Sequence, residues 1–456
     1  TIDITADKRN TVTAHAMGGS AGMASGSAVV ANATDNGTSN ITLGKANDTS
    51  KKNTFTASTL NVNAKASPAV KAVADSVAVA LTYGASAAVA TATANGGANV
   101  TVNNGDELFV DKANLQADIY AQDGMKNAEA KAEGNSGSGL INVGANVATA
   151  KSNASANVNV GAIKGKTREV VTGQKTVYSN DGTPTVTETK KTVGVTALNI
   201  SSNNSTTAFA DARGVNIGGV FSSGNNVAKT NNTSATNAVL NAGSNELLLG
   251  SLNVTASGAG DNLTTADGSG GGLVSADLAA YAENRMNANT TTTVKGKLNV
   301  NGEVKINALQ NDRANLLADA LKATVIGASA TKASNEIKGE TKVNTDGLTL
   351  TGANNLTINA NNTVTVGDSE KYAVKGSGYG GVNVQGAVLD NKIDKKAAIN
   401  LGSAKITTAG AQDYEAETDA DVNVGGYIKA AGAGAFTWVD VDNEVKADDS
   451  ITVGSG

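Results

Sequence analysis

The sequence has no cysteine, two prolines, one histidine and one tryptophan in 456 residues, and only 3% of it is aromatic. Without cysteine there are no disulfides, thiolate metal sites or cysteine nucleophiles. The scarcity of aromatic residues argues against the wide cores of the several globular domains that a chain of this length would otherwise hold. The apolar residues are mainly Ala and Val, which suit a narrow interior closely enclosed by backbone.

The overall charge is also low, with a formal net value of −5. The chain therefore has no basic field for nucleic acid or for an anionic membrane. No apolar run approaches the roughly 20 residues that a bilayer span needs, so we expect no membrane span. A hydrophobic content of 40% with two prolines argues against disorder. Because the sequence starts at Thr1 without Met or a charged and then apolar leader, and stops in Gly-Ser-Gly within a repeating pattern, we expect a fragment of a longer chain.

A short phrase of alternating apolar and polar residues recurs, as in Leu252-Asn-Val-Thr-Ala256. Its successive starts are 56, 55, 83, 54, 52, 52 and 50 residues apart. Alternation with period two is typical of half-buried strands. A unit of this size with few large side chains cannot bury its own apolar face, whereas stacked units can, so we predict an all-β solenoid of about eight repeats of about 52 residues. The phrases start at Ile4, Leu60, Leu115, Leu198, Leu252, Val304, Leu356 and Ile406.

A second, glycine-rich phrase follows several of the first ones, as in the stretch from Gly137 to Val143. Each such repeat then holds at least two strand groups, from which we expect about 20 coils of 20–25 residues and a rod about 100 Å long. Two segments with helix propensity, 126–133 and 312–323, are predicted to be strands because they follow the first phrase at the usual distance. Asn side chains at equivalent corners of successive coils are expected to form hydrogen-bonded ladders.

The interval of 83 residues exceeds its neighbours by about the length of one charged segment, 164–193. Alternating residues on both sides of Asn180-Asp-Gly-Thr-Pro184 predict a β-hairpin that projects from the rod. The organisation is therefore solenoid repeats over 1–163, the hairpin over 164–193, and solenoid repeats again over 194–456. The candidate contact residues on this arm are Arg168, Lys175, Tyr178, Asp181, Pro184, Lys190 and Lys191.

Gly137-Ser-Gly139, the Ala-rich run Val147-Ala-Thr-Ala150 and phrases such as Leu252-Asn-Val-Thr-Ala256 together resemble the large filamentous adhesins of Gram-negative bacteria. The similarity is to leukotoxin-type, filamentous-haemagglutinin-like exoproteins exported by type V or two-partner secretion. The resemblance implies a right-handed parallel β-helix that is secreted, displayed at the bacterial cell surface and used in cell adhesion, filament formation or virulence. The family's amino-terminal secretion domain is not visible in this sequence.

Few residues suggest catalysis or metal binding. His15 is interpreted as a surface residue, and the Gly18-Gly-Ser-Ala-Gly22 match lacks the helix that a nucleophile elbow needs. Asp440, Asp442 and Glu444 alternate on one strand face and are the only calcium candidates, although a solvated acidic face is the preferred interpretation. Phe436 and Trp438, shortly after Tyr427, are predicted to be core, with an exposed sugar-stacking platform as the alternative. No cofactor is expected.

The leading functional hypothesis is a non-catalytic, extracellular adhesive stalk. Its partner would be a receptor or glycan on a host cell or a neighbouring bacterium, with neither nucleic acid nor membrane involved. The alternative is a subunit of a self-assembling fibre joined end to end through open coil edges. A polysaccharide-acting β-helix enzyme is a third hypothesis, because fold alone does not exclude cleavage. A trimeric coiled adhesin head would have much shorter repeats.

Overall fold

The computed structural model describes residues 1–44, 53–165, 167–178, 183–367 and 373–454. These residues form strands and contain no helix that could span a membrane. One sheet holds 19 strands, and a separate sheet holds two. The strands are β1 (Ile2–Asp35), β2 (Thr38–Leu43), β3 (Thr54–Ala94), β4 (Gly97–Val102), β5 (Glu107–Ile119), β6 (Ala128–Ser138), β7 (Ile141–Ser152), β8 (Ser155–Val160), β9 (Lys164–Gly165), β10 (Arg168–Tyr178), β11 (Pro184–Val193), β12 (Val195–Gly218), β13 (Phe221–Asn241), β14 (Leu247–Val300), β15 (Glu303–Asn344), β16 (Leu348–Ala353), β17 (Asn355–Val366), β18 (Val374–Gly402), β19 (Lys405–Thr408), β20 (Gln412–Val422) and β21 (Gly426–Val453).

Each repeat forms one closed coil. Leu252 in β14 pairs with Val304 in β15, and parallel pairing continues along both strands to Thr293 and Asn344. Because β15 starts three residues after β14 ends, the chain must return to its starting edge within every repeat. The structure is therefore a parallel β-solenoid, as predicted. Its eight coils are marked by the stacked residues Ile2, Leu60, Ala113, Leu198, Leu252, Val304, Leu356 and Gln412.

The expected number of coils was wrong. Eight coils at a spacing of about 4.8 Å give a stack about 35 Å high, about a third of the 100 Å expected from 20 short coils. The two strand groups in a repeat are opposite walls of one coil, and they do not form coils of their own. Alternation in sequence cannot distinguish these arrangements, because it reports the face of a strand and not where the chain turns back.

The fourth coil shows the arrangement most simply. Strand β12 is its outgoing wall, Gly219 and Val220 form a tip turn, β13 is its return wall, and residues 242–250 form the base that leads to the next coil. The two walls face each other, since Asn232 Nδ2 on the return wall donates to Thr206 Oγ1 on the outgoing wall at 2.9 Å. The same outgoing wall, tip turn, return wall and base recur in the neighbouring coils.

The interior changes in layers from base to tip. Nearest the base, Leu, Ile and Val residues such as Leu198, Ile200 and Leu240 form one apolar cluster. A belt of buried polar residues follows, then a second cluster made mostly of Ala, such as Ala208 and Ala228. Buried Asn, Ser and Gly fill the space next to the tip turn. The abundance of Ala thus reflects a narrow interior, as the composition predicted.

The first phrase gave the correct register for only part of the stack. Leu198, Leu252, Val304 and Leu356 do stack on one another. Leu115 pairs with Val62, however, where the sequence aligned it with Leu60. A shift of two residues keeps every side chain on its face, so alternation alone cannot detect it. The other misplaced starts are Ile4, which also pairs with Val62, and Ile406, which pairs with Leu350 at the base of the preceding coil.

Two other local predictions are confirmed. Segment 312–323 lies within β15, and most of segment 126–133 lies within β6, so stacking overrides their helix propensity. The glycine-rich phrases lie at the tip turns. A Cβ on Gly219 would lie 2.0 Å from the backbone oxygen of Gly139 in the coil below, so adjacent coils approach too closely there for a side chain.

Asn ladders run along the solenoid axis, as predicted, but those on the walls lie within strands, whereas corners were expected. On the return walls, Asn99 Nδ2 donates to Asn40 Oδ1 at 2.7 Å, Asn157 to Asn99 at 2.8 Å, and Asn237 to Asn157 at 2.7 Å. A second ladder on the outgoing walls starts at an acceptor carboxylate and consists of Asp3, Asn61, Asn114 and Asn199. Each amide inside a ladder donates to one neighbour and accepts from the next, so these ladders link successive coils along the outer surface.

Candidate binding surfaces

A β-hairpin, which we call the arm, projects from the base of the solenoid. It consists of β10 and β11, whose antiparallel pairing extends from Arg168 and Val193 to Tyr178 and Pro184. The arm is inserted between Gly165 and Gly194, and the solenoid continues on both sides of it, because Gly165 pairs with Leu108 and Val195 pairs with Leu249. In the described part of the chain, the arm strands pair only with each other. The insertion therefore leaves the stacking of the coils intact.

The outer half of the arm is exposed and partly apolar. Lys175, Tyr178 and Pro184, three of the predicted contact residues, are exposed there, and Tyr178 is 70% accessible. Val177 and Val186, which the sequence did not single out, are also about half accessible. An isolated two-stranded sheet has no buried face, so the sequence alone could have identified any apolar residue on it as a candidate contact residue.

The remaining predicted arm residues lie elsewhere. Arg168 is at the root of β10, and Lys190 and Lys191 pair with Val171 and Val170 near that root. Asp181 lies outside the described residues. The arm thus has an outer half with aromatic and aliphatic side chains and a root with several basic positions in its sequence.

Known proteins provide no guide to what this arm binds. No known protein family, curated protein or solved structure matches the chain.

The aromatic residues near the end of the chain do not form a core. Phe436 and Trp438 pair with Val384 and Gly386, whose neighbours Gln385 and Ala387 face the interior. Both aromatic side chains therefore face outwards from the return wall, and Trp438, which is 48% accessible, covers the space above Gly386. The core prediction was wrong for this pair. Tyr427 pairs with Lys375 on the outgoing wall, so it lies on the opposite side and cannot join them.

The acidic calcium candidates also lie on the outer face of β21. Asp442 pairs in register with Asp390, and Glu444 pairs with Lys392, whose Nζ lies 2.9 Å from Glu444 Oε2. Glu444 therefore already has a cationic partner. No group of three or more acidic, His or Cys side chains placed to hold a metal occurs among the residues that the structure describes.

Glu444 belongs to a patch in which charges alternate in sign in both directions. Along each strand, acidic and basic residues occupy alternate outward positions, and each also stacks on the opposite charge in the next coil. Lys446 Nζ, for example, lies 2.9 Å from Asp448 Oδ2 on its own strand. The three rows, one per coil, are Glu336, Lys338 and Glu340; Lys392, Asp394 and Lys396; and Glu444, Lys446 and Asp448.

This charge patch favours the observed register. A shift of one coil by two residues would keep apolar side chains inside, but it would place like charges on one another throughout the patch. Glu336, for example, would then lie over Asp394. Like charges directly opposite each other in a sheet are destabilising. The patch therefore disfavours the two-residue register shifts that keep apolar side chains inside. This effect on register explains the charge pattern without a ligand.

The outgoing walls carry a second, less regular column of charges. Asp75, Glu133, Arg213, Asp267 and Asp319 stack in that order from the second to the sixth coil. Burial, and next the neighbouring carboxylate of Asp319, raise the pKa of Asp267 above its ordinary value. The pKa of the Arg213 guanidinium is raised by its hydrogen bond to Asp211. The column has both signs and no uncompensated basic surface.

His15 lies on the outer surface, as predicted. Its side chain is 49% accessible, and its Nε2 lies 2.9 Å from Asp75 Oδ2. The Gly-x-Ser-x-Gly match, Gly18 to Gly22, lies within β1, which continues to Asp35. The strand–turn–helix context that such a motif requires is therefore not formed there.

Proposed function

We propose that this chain is part of an extracellular, non-catalytic adhesive stalk of a bacterial surface filament, and that the arm is its contact element. The observation that carries the proposal is the arm itself. It leaves the base at Gly165, returns at Gly194 and exposes Tyr178, Val177 and Val186, while the coils stack without interruption. An element whose strands pair with none of the solenoid strands that the structure describes is free to bind a receptor or glycan.

The solenoid supports this role in two ways. Its coils are held by backbone pairing, Asn ladders and a narrow core, and the chain has no cysteine, so its stability does not depend on the redox state of its surroundings. The phrases that resemble filamentous adhesins are the same phrases that form the walls and tip turns. Secretion, surface display and a role in virulence are parts of this proposal that rest on that resemblance.

Deletion of the arm tests the proposal. Joining Gly165 directly to Gly194 should leave the circular dichroism spectrum unchanged and shift the melting temperature by less than about 2 °C, because the arm strands pair only with each other among the described residues. Attachment to receptor-bearing cells or immobilised glycans should fall at least about tenfold, because the loss of a few well-packed contact side chains weakens binding by that much or more.

Two variants define the source of any loss. Tyr178→Ser with Val177→Ser and Val186→Ser should reproduce the deletion, since these side chains provide the apolar surface of the arm. Phe436→Ser with Trp438→Ser removes the exposed aromatic pair on the return wall and should leave attachment unchanged. If attachment survives the arm deletion but not the Phe436 and Trp438 changes, the contact element is the return wall and the proposal is wrong. Cleavage of acidic or neutral glycans by the intact chain would instead favour the enzyme hypothesis.

A further inference from the structure

A continuous apolar surface runs along the tip turns of the second to seventh coils, and we call it the ridge. Large aliphatic and aromatic side chains at and beside each tip turn are between 39% and 69% accessible. The ridge consists of Val77, Val79, Leu81, Tyr83, Leu140, Ile141, Val143, Val215, Ile217, Val220, Leu273, Val274, Leu321, Val325, Ile326, Tyr379 and Val382.

Stacking makes the ridge continuous. Tyr83, Ile141, Phe221, Val274, Ile326 and Val382 lie directly above one another, each paired with the next. With neighbouring coils about 4.8 Å apart, this column is about 25 Å long. Side chains two residues apart on the same strand widen it to either side, as Val77 and Val79 do beside Leu81.

These apolar side chains cannot be accommodated inside. The interior behind the tip turns is filled by hydrogen-bonded amides, where Asn146 Nδ2 donates to Asn226 Oδ1 at 2.7 Å and Asn142 Nδ2 donates to the carbonyl oxygen of Ser136 at 2.9 Å. The walls also approach closely, since a Cβ on Gly134 would lie 2.0 Å from Asn146 Oδ1. The fold thus places polar groups inside and apolar groups outside at the tip, the reverse of the usual arrangement.

The ridge carries no outward charge. The segments 77–85, 135–145, 215–225, 269–276 and 377–387 contain no charged residue. In the sixth coil, Lys322 faces inwards, and its Nζ lies 2.8 Å from Ser275 Oγ. The charged column beside it on the outgoing walls has one arginine among four carboxylates, so no electrostatic attraction would hold the ridge to an anionic membrane.

The size of the ridge exceeds that of an ordinary surface patch. With roughly half of each side chain open to water, the ridge exposes on the order of 800 Å² of apolar surface. The largest apolar patch of a typical monomer is roughly 300–600 Å². A standard protein interface buries roughly 800 Å² on each partner, so the ridge alone is large enough for a specific complex.

We propose that the ridge binds the ridge of a second copy of this chain, in a two-fold symmetric pair with antiparallel solenoid axes. An uncharged partner is required, and a second copy provides one. Its side chains also recur at the same spacing of about 4.8 Å, so protruding residues on one copy can fit between those of the other along the whole contact. A self-complementary patch of this kind is the usual basis of two-fold dimers.

The antiparallel orientation follows from the shape of the ridge. At the second coil the tip is bulky, with Leu81 and Tyr83 exposed. At the seventh coil the turn itself consists of Gly380 and Gly381, so only the flanking Tyr379 and Val382 protrude there among the described residues. Opposing the bulky end of one copy with the thin end of the other keeps the two axes at an even distance. The two-fold axis then passes between the fourth and fifth coils, near Val220 and Leu273.

The oligomeric state of the intact chain tests this proposal. Analytical ultracentrifugation over a range of concentrations should show a monomer–dimer equilibrium. Val220→Lys with Leu273→Lys places four like charges at the centre of the contact and should raise the dissociation constant more than about 30-fold, as loss of a central anchor does. The matched control, Val177→Lys with Val186→Lys on the arm, changes two comparably exposed valines and should leave the dimer intact. Circular dichroism confirms that each variant is folded.

Cysteine cross-linking tests the orientation, since the natural chain has no cysteine. In the Leu273→Cys variant, the new cysteine should form a disulfide with the same cysteine of the second copy. In a mixture of Tyr83→Cys chains and Val382→Cys chains, the disulfide between the two different chains should form in preference to a disulfide between identical chains. A chain that stays monomeric at every concentration, or a dimer that survives the Val220 and Leu273 changes, would overturn the proposal. Monomers that bind neutral phosphatidylcholine vesicles through the ridge would also overturn it and would identify a lipid surface as the occupant.

Discussion

Replacing Lys395 with methionine is expected to lower the free energy of unfolding by about 3–5 kcal/mol, because it leaves a buried carboxylate without its cation. Lys395 on the return wall of the seventh coil and Asp312 on the outgoing wall of the sixth are both fully buried and in contact. The other carboxylate oxygen, Asp312 Oδ1, accepts a hydrogen bond from Gln310 Nε2 at 2.7 Å. The pair lies in the polar belt between the two apolar clusters. Urea denaturation monitored by circular dichroism measures the loss.

Two further variants distinguish the pair from a general effect of losing a lysine. Lys392→Met removes a surface lysine three residues away that pairs with Glu444, and water screens that pair, so stability should change little. The double variant Asp312→Leu with Lys395→Met removes both buried charges and should recover most of the loss, since apolar residues often replace a buried ion pair without cost. If the double variant is as unstable as Lys395→Met, the defect is in packing and the electrostatic explanation fails.

Replacing Gly339 with alanine is expected to lower the free energy of unfolding by about 3 kcal/mol, through backbone strain and a collision together. Gly339 pairs with Lys395 and has a φ of +139°, a backbone conformation that residues other than glycine rarely adopt. A Cβ there would lie 1.9 Å from the backbone oxygen of Ala288 in the coil below, and backbone cannot move aside as a flexible side chain can.

Two glycines provide graded controls for this change. Gly105 has a φ of +89° but no atom within 4 Å of the added Cβ, so alanine there should cost about 1 kcal/mol from strain alone. Gly26 has neither a positive φ nor a close neighbour, and alanine there should be neutral or stabilise the chain by up to about 1 kcal/mol. Equal losses at Gly339 and Gly105 would mean that the coils are less tightly stacked at Gly339 than described.

Much of the fold could be predicted from local patterns. Alternation identified the strands, the recurrence of Leu198, Leu252, Val304 and Leu356 identified the repeat, and the long interval before Leu198 located the arm. These features are visible because each is a regularity along the chain. The abundance of Ala and Asn likewise predicted a narrow core and axial ladders, because both consequences follow from side-chain size and hydrogen-bonding capacity.

Features that depend on how the chain turns could not be predicted. In the seventh coil, outward residues are odd-numbered before the tip turn, as Tyr379 is, and even-numbered after it, as Val382 is. Gly380 and Gly381 cause this inversion, and the alternation of apolar and polar residues in the sequence does not predict it. The same inversion at the equivalent turn of the last coil places Phe436 and Trp438 outside, where the sequence suggested core. The contact between Asp312 and Lys395 joins residues 83 positions apart, and no local pattern reveals it.

The central claim is that one repeat forms one coil, and disulfide trapping tests it most directly. Asn253 and Lys305 are exposed, paired neighbours in successive coils, so Asn253→Cys with Lys305→Cys should form a disulfide readily under mild oxidation. Coils of 20–25 residues would instead bring position 276 next to position 253, whereas here Ala276 lies beyond the tip turn. We therefore expect no disulfide from Asn253→Cys with Ala276→Cys. A disulfide in the second variant and none in the first would contradict the fold described here.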